Sequence, residues 1–278
     1  MQLHRFDHIQ AFYDRSQTYL LQHEAEHNLL LGISHTLLNY PDRYPNPPYL
    51  VTVEQSGEIV AIAMRTPPHK LLLSKARNLD ALALIAQDVH RMQENLPGVG
   101  GLVRESQIFM TAWQAFTRQP YELTLAMRIH QLTQVQPVIR AKGNLRLATP
   151  SDRPLLVKWY QAFLDEVKVL FAENAERIVD SSLKRQTAYI WEDSVPVSFA
   201  CGSQSLPTAG RIGPVYTPPA YRQKGYATAC VATLSQRLLD QGCQRCFLFT
   251  DLANPTSNHI YQTIGYVPVC DWNDYTLM

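Results

Sequence analysis

The chain has 278 residues, 46% of them hydrophobic and 18% charged, and a formal net charge of +1 at neutral pH. That composition supports a buried core, excludes a disordered or collagen-like chain, and offers no charge excess for nucleic acid or anionic lipid. At roughly 100–200 residues per domain the length predicts two domains, and no stretch reaches the ~18–20 apolar residues of a membrane span.

The opening segment, MQLHRFDHIQAFYDRSQ, lacks the apolar core of a secretory signal, so a cytoplasmic protein is expected. Apolar spacing at Leu29, Leu30, Ile33 and Leu37 predicts one helix from Ile9 to about Leu38, ended by the proline-rich segment 40–48. Tyr49–Glu54 and Glu58–Arg65 flank Gln55-Ser56-Gly57 as a β-hairpin, and Leu71–Ser74 reads as a further strand. Asn78 opens a helix with Leu79, Leu82, Ile85 and Val89 on one stripe. Gly98-Val-Gly-Gly101 reads as a loop, Gln107–Phe116 as a helix and Glu122–Leu132 as a strand.

Gln136–Gly143 is the linker candidate, which sets the domains at 1–138 and 139–278. A strand at Asn144–Ala148 then leads into helices at Arg153–Val167 and 172–184. A hairpin follows around Asp193-Ser194-Val195, then a strand at Gly210–Tyr216. Next come a helix at Tyr226–Gln241, a strand at Cys246–Asp251 and a helix at Asn254–Ile264. Two short strands, Tyr266–Cys270 and Tyr275–Met278, close the chain. The two halves share an order of helices, hairpin, helix and strands, as a duplicated α/β architecture would.

Two motifs offer metal chemistry, and neither is favoured. His23-Glu-Ala-Glu-His27 satisfies H-E-x-x-H on a predicted helix, but Leu30 stands where the metzincin continuation needs glycine. The third ligand is also missing, because Glu54 sits on the hairpin rather than on a following helix. Cys243-Gln-Arg-Cys246 lacks a second ligand pair and runs into a strand rather than a helix. All five cysteines lie in the second half, an odd number that suits reduced thiols.

The segment Gly213–Ala227 carries more information. A strand delivers the chain to Pro218-Pro219, which cannot continue a ladder, and a turn containing Gly225 opens a helix. Such a turn presents backbone N–H groups beside the positive end of the helix dipole, a place for a pyrophosphate, with Arg222 and Lys224 adding charge. Further on, Asn254 is a strong N-cap, Pro255 suits the first helical position and Gly265 ends the helix. Tyr261 is placed on a different face from the inward Ile260 and Ile264.

Together these segments resemble the GNAT superfamily of acetyl-CoA-dependent N-acyltransferases. Arg222-Gln-Lys-Gly225-Tyr-Ala227 matches the Q/R-x-x-G-x-G/A signature, and Asn254-Pro-x-x-Asn258-x-Ile-Tyr261-x-x-Ile264-Gly265-Tyr266 matches the second motif. The whole chain also resembles a two-domain subfamily whose first half is a degenerate copy of the fold, on the features Leu96-Pro-Gly-Val-Gly-Gly101 and Trp159…Phe163…Glu166. The resemblance implies an α/β fold with a mixed sheet and an acetyl-CoA donor. Val215, Tyr216 and Thr217 would bind the pantetheine arm and thioester through the backbone. Arg222, Gln223, Lys224, Gly225, Tyr226, Ala227 and Thr228 would hold the pyrophosphate, and Asn254 would touch the cofactor arm. Tyr261 would protonate the departing thiolate. Glu166 is the candidate base, ahead of Asp251, His259 and bulk water. The acceptor is a small-molecule, peptide or protein amine, and the alternative is a catalytically weak acyl-CoA-binding or sensing protein. The first half lacks a counterpart of Arg222–Ala227 and is expected to bind no acetyl-CoA.

Overall fold

The structure, a computed structural model, describes residues 1–92, 95–139, 141–167, 174–204, 206 and 208–278. The first ten elements are β1 (Gln2–Arg5), α1 (Ile9–Leu21), α2 (Asn28–Asn39), β2 (Tyr49–Gln55), β3 (Glu58–Arg65), β4 (Leu71–Leu73), α3 (Asp80–Arg91), β5 (Gly98–Leu102), α4 (Val103–Thr117) and β6 (Tyr121–Leu132). The second ten are β7 (Asn144–Leu147), α5 (Arg153–Val167), α6 (Ala175–Lys184), β8 (Ala188–Asp193), β9 (Val195–Gln204), β10 (Ala209–Tyr216), α7 (Tyr226–Asp240), β11 (Arg245–Asp251), α8 (Pro255–Ile264) and β12 (Val267–Leu277). The predicted start of α6 at 172 lies outside the described residues, as does Arg140 of the linker. Each set of ten repeats the order β-α-α-β-β-β-α-β-α-β.

By contact the chain forms two compact units. One comprises Met1–Ile129 with Thr250–Ala253 and Pro268–Met278; the other comprises His130–Phe249 with Asn254–Val267. In the first unit the strands run β1-β2-β3-β4-β5-β12-β6. β4 and β5 pair in parallel, while β1 through β4 and the β5–β12 pair are antiparallel. Its core joins Val51, Val53, Ala61 and Leu73 to Leu82, Ile85 and Val89 on the apolar stripe of α3.

Gly98–Gly101 is a strand and not the expected loop. β5 is buried along its whole length between β4 and β12. A Cβ at Gly98 would lie 2.0 Å from the Tyr275 carbonyl oxygen, and one at Gly100 2.6 Å from Asp274 Oδ1. The glycines are there because the neighbouring chain comes too close for side chains. Likewise, the two predicted closing strands are one continuous strand, β12.

The H-E-x-x-H segment is also corrected. The expected single helix is two helices, and His23–His27 lies in the turns between α1 and α2. His27 is buried, with Nδ1 donating to the Leu20 carbonyl at 2.9 Å and Nε2 accepting from the Lys75 backbone N–H at 3.0 Å. Both ring nitrogens thus satisfy backbone groups, at the end of α1 and after β4. Burial pushes the His27 pKa down to about 4, which fixes the imidazole as neutral. His23 pairs with Glu26 at 3.4 Å, and Glu26 also accepts from Lys75 Nζ at 3.1 Å.

In the second unit the strands run β11-β10-β9-β8-β7, antiparallel except for the parallel β10–β11 pair. α7 packs against β8, β9 and β10. Gly202 and Gly210 let Leu234 and Leu238 of α7 approach the sheet closely.

Candidate functional site

β10 is distorted where chemistry is expected. It pairs with β11 only at Ala209↔Arg245, Gly210↔Cys246 and Arg211↔Phe247, and its next five residues run on without that partner. On its other side the register with β9 slips between Ile212 and Val215, where two residues of β10 face one of β9. Gly213 and Pro214 occupy this bulge, and the proline brings no N–H to a ladder. Val215 and Tyr216 resume pairing with Ala200 and Phe199. The backbone of 212–216 is thus held on one edge only. Buried Ser198 of β9 donates to the Tyr216 carbonyl at 3.1 Å and meets the Thr217 hydroxyl at 2.8 Å.

After β10 the chain makes a 3-10 turn at Pro219–Tyr221 and enters α7. Gln223 (φ 61°) and Gly225 (φ 78°) adopt left-handed backbone at alternate positions, the pattern of an anion-binding nest. Glycine suits the second position because a Cβ there is strained. No side chain caps α7, and no acidic residue lies in its first turn. The first intrahelical bond runs from Ala229 N–H to Gly225 O, so the N–H groups of Tyr226, Ala227 and Thr228 precede it. With the helix dipole behind them, these groups fit a phosphate.

The corresponding helix of the first unit is built differently. Ahead of α3, Asn78 Oδ1 accepts from the Asp80 N–H at 3.0 Å, and Asp80 puts a carboxylate in the first turn. That helix start carries its own acceptor and its own negative charge.

The charged side chains of the second-unit turn already have partners. Arg222 Nε donates to the Thr217 carbonyl at 2.8 Å, and Nη2 donates to both Glu166 oxygens at 2.6 and 2.8 Å. Its guanidinium carbon lies 5.7 Å from the centre of the Tyr216 ring. Lys224 donates to the Ala220 carbonyl at 3.2 Å and lies over Tyr221. Tyr226 donates its hydroxyl to Asp193 at 2.6 Å, tying the start of α7 to the β8–β9 turn, and that carboxylate raises the phenol's pKa.

α8 begins as its sequence requires. Asn254 Oδ1 accepts from the Ser257 N–H at 3.0 Å, and Pro255 fills the first turn. Tyr261 is not on a separate face: it is buried in the same core cluster as Ile264, with Ile260 packed against it. Residues 260, 264 and 261 span only about 100° around a helix, one apolar stripe. Tyr261 meets the Tyr266 ring edge-on with centroids 5.9 Å apart. Burial pushes its pKa up to about 12, opposed by a hydrogen bond with Ser257.

The structure therefore joins Glu166, Tyr216, Thr217 and Arg222 in one network and places Arg222 through Thr228 on one turn and helix start. Asn254 and Tyr261 lie together on α8. Asp193 and Ser198 escaped the sequence reading; each acts through a contact 18 to 33 residues distant, which no local spacing reveals. His259 is exposed, and Asp251 Oδ1 accepts from the Ala253 N–H at 2.8 Å.

The sequence profile described as "Acetyltransferase (GNAT) family" matches residues 153–266. No curated protein sequence matches significantly. Among solved structures, a GNAT-family acetyltransferase from Colwellia psychrerythraea aligns over 100% of this chain and 99% of its own, with TM-score 0.61 and 9% identity. A Drosophila protein aligns over 99% and 98%, with TM-score 0.69 and 9% identity. A tandem GNAT protein from the clavulanic acid biosynthesis pathway aligns over 99% and 97%, with TM-score 0.59 and 11% identity. At such identities the likeness speaks for the fold alone: the chain has the GNAT fold, and within it residues 153–266 match the GNAT acetyltransferase family profile.

Proposed function

We propose that this protein is an acetyl-CoA-dependent N-acetyltransferase, with the chemistry in residues 139–278 and a degenerate, non-binding GNAT-like half in residues 1–138. One observation carries the reading: β10 leaves β11 after Arg211 and leads, through the turn at 217–225, to the uncapped start of α7. A one-sided strand followed by an open helix start suits an elongated ligand with an anionic end. Acetyl-CoA, when bound, would supply the activated thioester. Backbone groups of Val215, Tyr216 and Thr217 would align it, and those of 223–228 would take the pyrophosphate, with Asn254 beside the arm. The Asn78 acceptor and the Asp80 carboxylate at the start of α3 support the contrast between the halves.

The amine nitrogen attacks the carbonyl carbon, the carbon–sulfur bond breaks, and the sulfur takes a proton. With its pKa near 12, Tyr261 keeps its phenolic proton at neutral pH and serves as that donor. The ammonium proton leaves to Glu166 or to solvent. Neutral overall charge is compatible with a small-molecule, peptide or protein amine, and a cytoplasmic setting accords with five free cysteines. Among the described residues no helix is long and apolar enough to cross a membrane.

Free thiol measured with acetyl-CoA and a panel of amines tests the proposal. Amine-dependent release is expected. Saturable CoA binding without release for any amine would favour the sensing alternative.

A further inference from the structure

Arg222 belongs to the turn assigned to the pyrophosphate, yet its guanidinium is committed elsewhere. Nη2 bonds both oxygens of Glu166, at the last turn of α5, while Nε holds the Thr217 carbonyl. Both partners are close to half exposed, 43% for Arg222 and 47% for Glu166, so neither is locked by packing. Two carboxylate oxygens sharing one guanidinium nitrogen occupy the place that phosphate oxygens would take on the same cation. The open N–H groups of Tyr226–Thr228 lie one turn further along the same chain, so a phosphate bound there competes with Glu166 for a shared cation.

We propose, resting on the acetyl-CoA reading above, that Glu166 is an intramolecular stand-in for the donor's phosphate. Donor binding exchanges Arg222 from Glu166 to the pyrophosphate, and Glu166 is unpaired only in the donor-loaded protein. The exchange breaks one ion pair and forms another, with no change in covalent bonds or protons. It confines a free carboxylate, able to accept a proton from the incoming ammonium, to the state in which a thioester is present.

Calorimetric titration with CoA, which needs no turnover, tests the exchange. An exposed pair is worth about 0.2–1 kcal/mol, so Glu166→Gln should tighten CoA binding by roughly 1.5- to 5-fold. Arg222→Gln should weaken it. In the Arg222→Gln background the Glu166→Gln change should then alter affinity by less than about 1.5-fold, because the pair is already gone. Glu166→Gln binding no tighter than wild type would overturn the proposal, as would equal tightening in both backgrounds, which would mark simple removal of a repelling charge. Wild-type protein that binds no CoA at millimolar concentration would overturn both this exchange and the acetyl-CoA reading. Wild-type binding without the variant pattern would overturn the exchange alone.

Discussion

Tyr261 carries the sharpest residue-level test, because its environment fixes its protonation. Enclosed with Tyr266 and Ile264, its phenol holds its proton to about pH 12. The donating form is the protonated one, so any loss of rate through this group occurs only as pH rises towards 12. Tyr261→Phe keeps the ring and removes the proton, and should lower kcat roughly 100-fold while CoA affinity stays within about twofold. An unchanged kcat in Tyr261→Phe would sink the assignment, and a basic limb of kcat near pH 9 that vanished in Tyr261→Phe would show that the phenol does not hold its proton to about pH 12. Helix α8 was legible in sequence because Asn254, Pro255 and Gly265 meet local demands of a short helix, whereas the role of Tyr261 is implied by the family resemblance alone. The core setting was not legible, since three positions of one stripe were read as two faces. Nor was the pairing of Glu166 with Arg222, 56 residues apart, open to any argument from spacing.

At the scale of elements, patterning succeeds where side chains alternate or recur and fails where backbone packing decides. The hairpins β2–β3 and β8–β9 and helices α4, α5 and α7 fall within a few residues of their predicted bounds. β5 failed because glycine reads as a breaker, whereas here it admits Tyr275 and Asp274 of β12. The α1–α2 break failed because His27 satisfies backbone groups across 48 residues as well as locally. The glycine reading has a direct test. Gly98→Ala puts a methyl group 2.0 Å from the Tyr275 oxygen and should cost about 3 kcal/mol or more. Gly57→Ala, left-handed at φ +82° but with nothing within 4 Å, should cost about 1 kcal/mol. Urea midpoints at constant m-value compare the two; equal costs would mean that strand packing does not explain β5.

For the whole molecule, the two halves of the chain repeat one order of elements, as the sequence suggests, but contact assigns β12 to the first unit although it follows α8 in the chain. Strand pairing between residues so far apart has no local signature. Burial of the thiols does have a consequence for the entire fold. Burial raises Cys201 to about 11 and Cys230, Cys246 and Cys270 to about 12, and it raises Tyr266 as well. An unfolded thiol titrates near 8.5. Above that pH the unfolded chain releases protons that the folded chain retains, so stability falls as pH rises from about 8.5 towards 12. The acid side has the opposite sign: Arg146 holds Asp152 down to about 2, so that contribution fades only as pH falls from about 4. Thermal melts under a non-thiol reductant should therefore plateau between pH 5 and 8 and decline steadily towards pH 10.5. Replacing Cys270, the least enclosed of the five, by alanine should flatten the decline by about one proton's worth of slope. A Tm constant from pH 7 to 10.5, or a decline of the same slope in Cys270→Ala, would show that the buried thiols do not set the alkaline limit.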